Sequence, residues 1–172
     1  MNAVPDATMY VTSLQEILWG VMLVATTMII HGFGMILTLR VNNALKQRVE
    51  QTQSFILGVI ALILASWMII FVHLSEVAVW AGFFLWKGAL PNYSIACYFT
   101  LNEYTTVGSS FNLPQNWRLL EGMVATAGLL GFAWSTGVMV TLAQGFQRHE
   151  LQLLKQRREN HPPNPHPADR KS

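Results

Sequence analysis

Tyr104-Thr105-Thr106-Val107-Gly108-Ser109-Ser110 is a short polar stretch set between two long hydrophobic runs. Non-helical backbone at bilayer depth is tolerated only where protein buries it or a water-filled cavity receives it. A Thr-Thr-Val-Gly turn in that position therefore reads as the lining of a pore.

The flanking runs make the bilayer the relevant solvent. Hydrophobic residues make up 52% of the 172 positions and charged residues only 12%, against roughly 25% charged in soluble domains. Residues 17–39, 55–75 and 119–143 each form a run of about 20 or more nearly uncharged residues, enough to cross ~30 Å of hydrocarbon. The expected fold class is an all-α membrane protein with three transmembrane helices. The opening Met1-Asn2-Ala3-Val4-Pro5-Asp6 lacks the basic start of a signal peptide, and the first run is too long for its apolar centre, so that span is expected in the mature protein. Cys97 is the only cysteine, which excludes an intrachain disulfide or a cysteine-based metal site.

A net charge of +2 argues against a nucleic-acid partner, and its distribution sets topology. Arg40, Lys46 and Arg48 follow the first span, and Arg148, Lys155, Arg157 and Arg158 follow the third, whereas only Lys87 and Arg118 flank the spans on the opposite side. The positive-inside rule then places the loop 40–53 and the C-terminus in the cytoplasm and the N-terminus outside. Residues 76–117, with the polar turn, face outward.

Few ionisable residues enter the spans. His31 sits beside glycines in His31-Gly32-Phe33-Gly34, where close helix packing and a hydrogen bond from neutral imidazole are expected, with a proton relay as the functional alternative. His73 and Glu76, three apart, share a helix face. Such a pair can bind a metal or sense pH, but two ligands make a poor metal site, and a hydrogen bond near the outer interface is the expectation. His31, about 13 residues or ~20 Å below the outer end of its span, is expected to lie out of their reach. No nucleophile–base pair or metal spacing supports an enzyme.

Residues 77–90, rich in Trp80, Phe83, Phe84 and Trp86 ahead of Lys87, read as a helix emerging at or lying along the outer interface. After the Pro91-Asn92 break, residues 93–104 are too few to cross and too apolar for an exposed loop, which predicts a re-entrant half-helix. Trp117 and Arg118 anchor the start of the third span, which carries Gly122, Gly128, Gly131 and Gly137 and so is expected to cross other helices closely or to bend at a gate. A surface helix is expected over 146–160 and disorder in the proline-rich tract 161–167. No internal repeat is present.

Successive backbone carbonyls from symmetry-related chains can replace the water shell of a cation, and a threonine, a β-branched residue and a glycine suit such a strand. The negative C-terminal end of a half-helix aimed at that strand favours cations. On Thr105-Thr106-Val107-Gly108, the proline six residues later and Trp117, residues 55–146 resemble the potassium-channel pore module: outer helix, pore helix, filter, inner helix. His73-x-x-Glu76-x-x-x-Trp80, Tyr98-Phe99-Thr100 and Trp134-Ser135-Thr136 also resemble small bacterial ion-channel proteins with an extra span before that module.

The resemblance implies a selectivity filter of Thr105, Thr106, Val107, Gly108, Ser109 and Ser110, supported by Asn102 and Glu103, with Gly128 and Gly131 as gating hinge. It implies a homotetramer in the lipid of a bacterial inner membrane, passing a monovalent cation such as potassium and needing no other cofactor. The organisation expected is an external tail over 1–16, an extra span with cytoplasmic loop over 17–53, a pore module over 54–146, and a cytoplasmic helix with disordered tail over 147–172. A potassium filter usually reads Thr-Val-Gly-Tyr-Gly-Asp, and Ser109, Ser110 and Phe111 depart from it, so weak discrimination against sodium is expected. The same departure supports the alternative of a non-conducting accessory subunit. No span carries regularly spaced arginines and the tail is short, so no voltage sensor or cytoplasmic ligand domain is expected.

Overall fold

A computed structural model of the protein describes residues 12–52 and 55–160. Four helices account for nearly all of it: α1 (Leu14–Thr52), α2 (Phe55–Trp86), α3 (Tyr93–Tyr104) and α4 (Leu119–Asn160), with a 3₁₀ turn at Gln115–Trp117. No strand occurs among the described residues. Leu14–Gln47, Phe55–Trp86 and Gln115–Arg148 are long and apolar enough to cross a membrane. Most of the tail expected over 1–16 and all of the tract 161–172 lie outside the described residues.

The long helices overrun the apolar runs. α2 does not stop near Ser75 but continues to Trp86, so residues 77–86 prolong the span and are not a separate interfacial helix. The physical reason is that no proline interrupts this apolar stretch, and the stop signal comes only at Gly88. Gly88 adopts φ +66, its N–H reaches the Leu85 carbonyl at 3.0 Å, and the Ala89 N–H reaches the Phe84 carbonyl at 2.9 Å. That pair of bonds closes the helix with a left-handed glycine. Likewise the segment expected as a loop over 40–53 is helical as far as Thr52, because Arg, Asn, Ala, Leu, Lys and Gln do not break a helix already nucleated in the membrane.

α1 buries one stripe: Glu16, Gly20, Leu23, Thr27, His31, Met35 and Thr38. Spacings of three and four put these residues on a single face. Glycine permits close crossings there, since a Cβ on Gly20 would overlap Met123 of α4, and one on Gly34 would overlap Val72 of α2. A Cβ on Gly58 would overlap the Phe146 ring. These pairings run α1 antiparallel to α2 and alongside α4 in the same direction.

The apolar core lies at the end of the bundle that holds α3. Trp80, Phe84, Phe99, Ala96, Leu120, Val124 and Ala127 are fully enclosed there. Phe83 meets Trp19 at 5.4 Å and Trp117 at 5.6 Å between ring centroids, and Lys87 Nζ lies 3.9 Å above the Trp86 ring and 4.2 Å above Trp19. Trp117 is therefore a core residue here and ends the 3₁₀ turn that leads into α4. α3 begins with Asn92, whose side chain accepts the Ile95 N–H at 2.9 Å, and buries Ala96, Phe99, Thr100 and Tyr104 on the face turned to α2 and α4.

Gly128 faces backbone: a Cβ there would overlap the carbonyl oxygen of Tyr104. A carbonyl at the end of a packed helix cannot swing away as a side chain can, so Gly128→Ala should destabilise the fold by about 1–3 kcal/mol or more. Gly137 meets nothing within 4 Å and serves as the comparison. In detergent, the unfolding midpoint should drop for Gly128→Ala and hold for Gly137→Ala; equal midpoints would contradict the close approach.

Candidate functional site

Five polar side chains from all four helices form a closed ring inside the bundle. His31 Nδ1 of α1 lies 2.8 Å from Glu76 Oε1 of α2. The Tyr104 hydroxyl at the end of α3 donates to Glu76 Oε2. His73 of α2 places Nδ1 2.8 Å from that hydroxyl and Nε2 3.0 Å from Ser135 Oγ of α4. Ser135 Oγ closes the circuit at 3.3 Å from His31 Nε2. His31, Glu76 and Tyr104 are almost wholly enclosed, so the ring supplies what water cannot. An ionised carboxylate without such partners would be strongly disfavoured in this setting.

This corrects the depth expected for His73. α2 runs thirteen residues beyond it to Trp86, which at 1.5 Å per residue puts His73 about 20 Å from that helix end and level with His31. The two imidazole centroids are 5.2 Å apart. The pair His73 and Glu76 is thus an interior pair that includes His31, not a contact at the outer interface. His31, His73 and Glu76 each bring a ligand-type atom within 4.8 Å of the others, and every ring nitrogen and carboxylate oxygen of the three is engaged in a hydrogen bond of the ring.

Gly131 explains how α4 approaches the ring. A Cβ there would come within 3.0 Å of the Tyr104 hydroxyl and 3.3 and 3.4 Å of the two imidazoles. Phe132 stacks on His73 with centroids 4.6 Å apart, and Trp134 lies 5.5 Å from His31. Gly128 and Gly131, expected at a gating bend, therefore both sit against Tyr104 within an unbroken α4.

The turn 105–110 follows directly from the ring's Tyr104. Thr105 N–H donates to the Leu101 carbonyl at 3.0 Å, Thr106 N–H to Glu103 at 2.9 Å, and Val107 and Gly108 N–H both to the Asn102 carbonyl at 2.9 and 3.2 Å. The Ser109 N–H goes to the Glu103 carboxylate at 2.8 Å. Asn102 is itself held by its side-chain amide donating to the Tyr98 carbonyl at 2.8 Å. Thr106 is at φ +61 and Gly108 at φ +81, and a β-branched residue in the left-handed region is an outlier. With all five amides turned back, the carbonyl oxygens of Thr105, Thr106, Val107 and Gly108 accept no hydrogen bond among the described residues. All four residues are exposed in the single chain.

Two further carboxylates hold the return segment. Leu113 N–H donates to Glu121 at 2.7 Å, and Leu119 N–H, at the first turn of α4, donates to Glu16 of α1 at 2.6 Å. A carboxylate at a helix N-terminus also complements the helix dipole. Neither Glu16 nor Glu121 stands out in the sequence, and Tyr104 and Ser135 appear there only inside motifs. A spacing signal existed for Ser135, four residues after Gly131, but nothing in one dimension joins it to His31 of α1.

No protein-family model, curated protein or solved structure matches this chain.

Proposed function

We propose that this chain is one protomer of a homotetrameric cation-conducting pore of the potassium-channel type, with α3 as re-entrant pore helix and residues 105–110 as filter. The observation that carries the reading is the row of carbonyls that accept no hydrogen bond among the described residues. A run of backbone oxygens without hydrogen bonds, set between two helices able to span a membrane, is costly against lipid and favourable only beside water or ions. Four copies about an axis would place these oxygens where a dehydrated cation needs them. The C-terminal end of α3 leads into the row and favours positive charge there. Left-handed Thr106 fits the same reading, since strained backbone concentrates at functional sites.

Asn102 and Glu103 act as filter supports, because their carbonyl and carboxylate oxygens receive the amides that would otherwise compete for the carbonyls. The outer filter is the weaker half. Ser109 Oγ accepts the Phe111 N–H at 3.1 Å, so the hydroxyl serves its own loop, and position 109 carries no aromatic ring to brace the strand. Monovalent cations therefore pass with modest preference for potassium over sodium. The alternative of a non-conducting accessory subunit draws on that same Ser109-Ser110 departure.

The membrane orientation proposed is N-terminus outside and C-terminus cytoplasmic, in a bacterial inner membrane, on the asymmetry near the spans of seven basic residues against two. A cysteine placed at Thr8 should be labelled by an impermeant reagent in intact cells and one at Gln156 should not; the reverse pattern would remove the topology and the filter with it.

Replacing Gly108 with Val should abolish cation flux in proteoliposomes while the protein still folds. A Cβ there meets nothing within 4 Å, so the penalty is the left-handed backbone itself, about 1–2 kcal/mol. Unchanged flux would show that the turn does not line the path. In bi-ionic recordings, Ser109→Tyr with Ser110→Gly should move the reversal potential toward that of potassium, and strong potassium selectivity in the natural chain would overturn the account of the outer filter.

A further inference from the structure

The ring of His31, Glu76, Tyr104, His73 and Ser135 contains five contacts, and each needs one hydrogen. An ionised Glu76 brings none, each neutral imidazole brings one, and the phenol and the serine hydroxyl bring one each. Four hydrogens cannot fill five contacts. With Glu76 accepting from His31 Nδ1 and Tyr104, and Tyr104 accepting from His73 Nδ1, both Nε2 atoms are left bare and face the single Ser135 hydroxyl. One of them then meets an oxygen lone pair, and the buried cluster carries a net negative charge.

One additional hydrogen resolves both faults. Placed along the 2.8 Å contact between Glu76 and His31, it gives either a carboxylic acid with two neutral imidazoles or an imidazolium with a carboxylate. Either arrangement is neutral overall, and either lets the hydrogens run in one direction round the ring: His31 Nε2 to Ser135, Ser135 to His73 Nε2, His73 Nδ1 to Tyr104, Tyr104 to Glu76.

We infer that the ring is a binding site for one exchangeable proton, taken from and released to water, whose occupancy closes the contact between Ser135 of α4 and the two histidines of α1 and α2. The titratable groups facing the site are His31 from α1, His73 and Glu76 from α2 and Tyr104 from α3, while α4 presents Ser135, Phe132 and Trp134. Loss of the proton opens the longest contact, Ser135 to His31 at 3.3 Å. Because Tyr104 ends α3 and Gly128 and Gly131 of α4 pack on it, the released contact frees the two elements that flank the turn. Control of flux by this proton rests on the pore reading above; the proton site itself does not.

Two substitutions remove the need for the fifth proton by different routes. In Glu76→Gln the amide supplies the missing hydrogen and closes the ring without charge. In Glu76→Met the carboxyl leaves with its charge and its two contacts, and the hydrogens of His31, His73, Tyr104 and Ser135 suffice for the three that remain. Unfolding in detergent is followed from about pH 7 to about pH 9, above the range in which free histidine titrates. Where the folded chain holds one proton more than the unfolded chain, stability falls as pH rises, so the wild-type unfolding constant should grow about tenfold per pH unit relative to either variant. Profiles that run parallel for the wild type and the variants overturn the proton site, and Glu76→Met decides alone if Glu76→Gln does not fold. Flux should change with pH in the wild type only above the pH at which that stability slope levels off, where the folded ring itself gives up the proton, and should not change there in Glu76→Gln. A pH difference in stability with no cation flux keeps the proton site and removes the pore reading; flux with no pH difference in stability does the reverse.

Discussion

A carboxyl group enclosed in an apolar bundle must have both oxygens hydrogen-bonded, and at Glu76 that requirement recruits every helix. α1 answers with His31 and α3 with Tyr104, and the second imidazole on α2 passes the chain of bonds to Ser135 of α4. A half-satisfied network would be worse than an apolar core, so such a ring selects one register among the helices where greasy surfaces alone would allow several. The glycines follow from it. α4 can reach the ring only because Gly131 leaves the space that a Cβ would fill, and Gly128 lets the same helix lie against the last carbonyl of α3.

The connection between α2 and α4 obeys the same logic in smaller units. Three carboxylates from three helices each take one backbone amide of the segment that follows α3: Glu103 holds Ser109, Glu121 holds Leu113, and Glu16 holds Leu119. Charge-assisted bonds to backbone are among the stronger ones available. They leave the loop little freedom even where its side chains are exposed. The amides of 105–109 all turn inward, and the carbonyls of 105–108 accept no hydrogen bond among the described residues. In the proposed tetramer those oxygens meet the permeant ion.

The ring and the turn are adjacent in sequence and mechanically joined. Tyr104 is the last residue of α3 and a member of the ring, and Thr105 begins the turn. Any change in the ring's hydrogen count is therefore felt one residue from the proposed filter and on the face of α4 that packs against it. Such coupling needs no voltage-sensing arginines and no ligand domain.

Composition and periodicity alone determined the number of spans, because 20 apolar residues have one economical conformation in lipid, and the position of the polar turn between them. The short helix before the turn was readable from its length and the Pro91-Asn92 break. Helix ends were less so: residues 77–86 continue α2 and residues 40–52 continue α1, since a helix stops where a cap or breaker stops it and not where hydropathy falls. The polar interior was not readable. His31, His73 and Glu76 were visible as intramembrane ionisable groups, yet their grouping depended on the depth of His73, which only the full length of α2 sets. Tyr104 and Ser135 are ordinary residues in one dimension. Hydrogen-bond partners 28 to 104 positions apart are chosen by how four helices cross, and a periodic pattern specifies a helix's buried face without specifying which residue of another helix meets it.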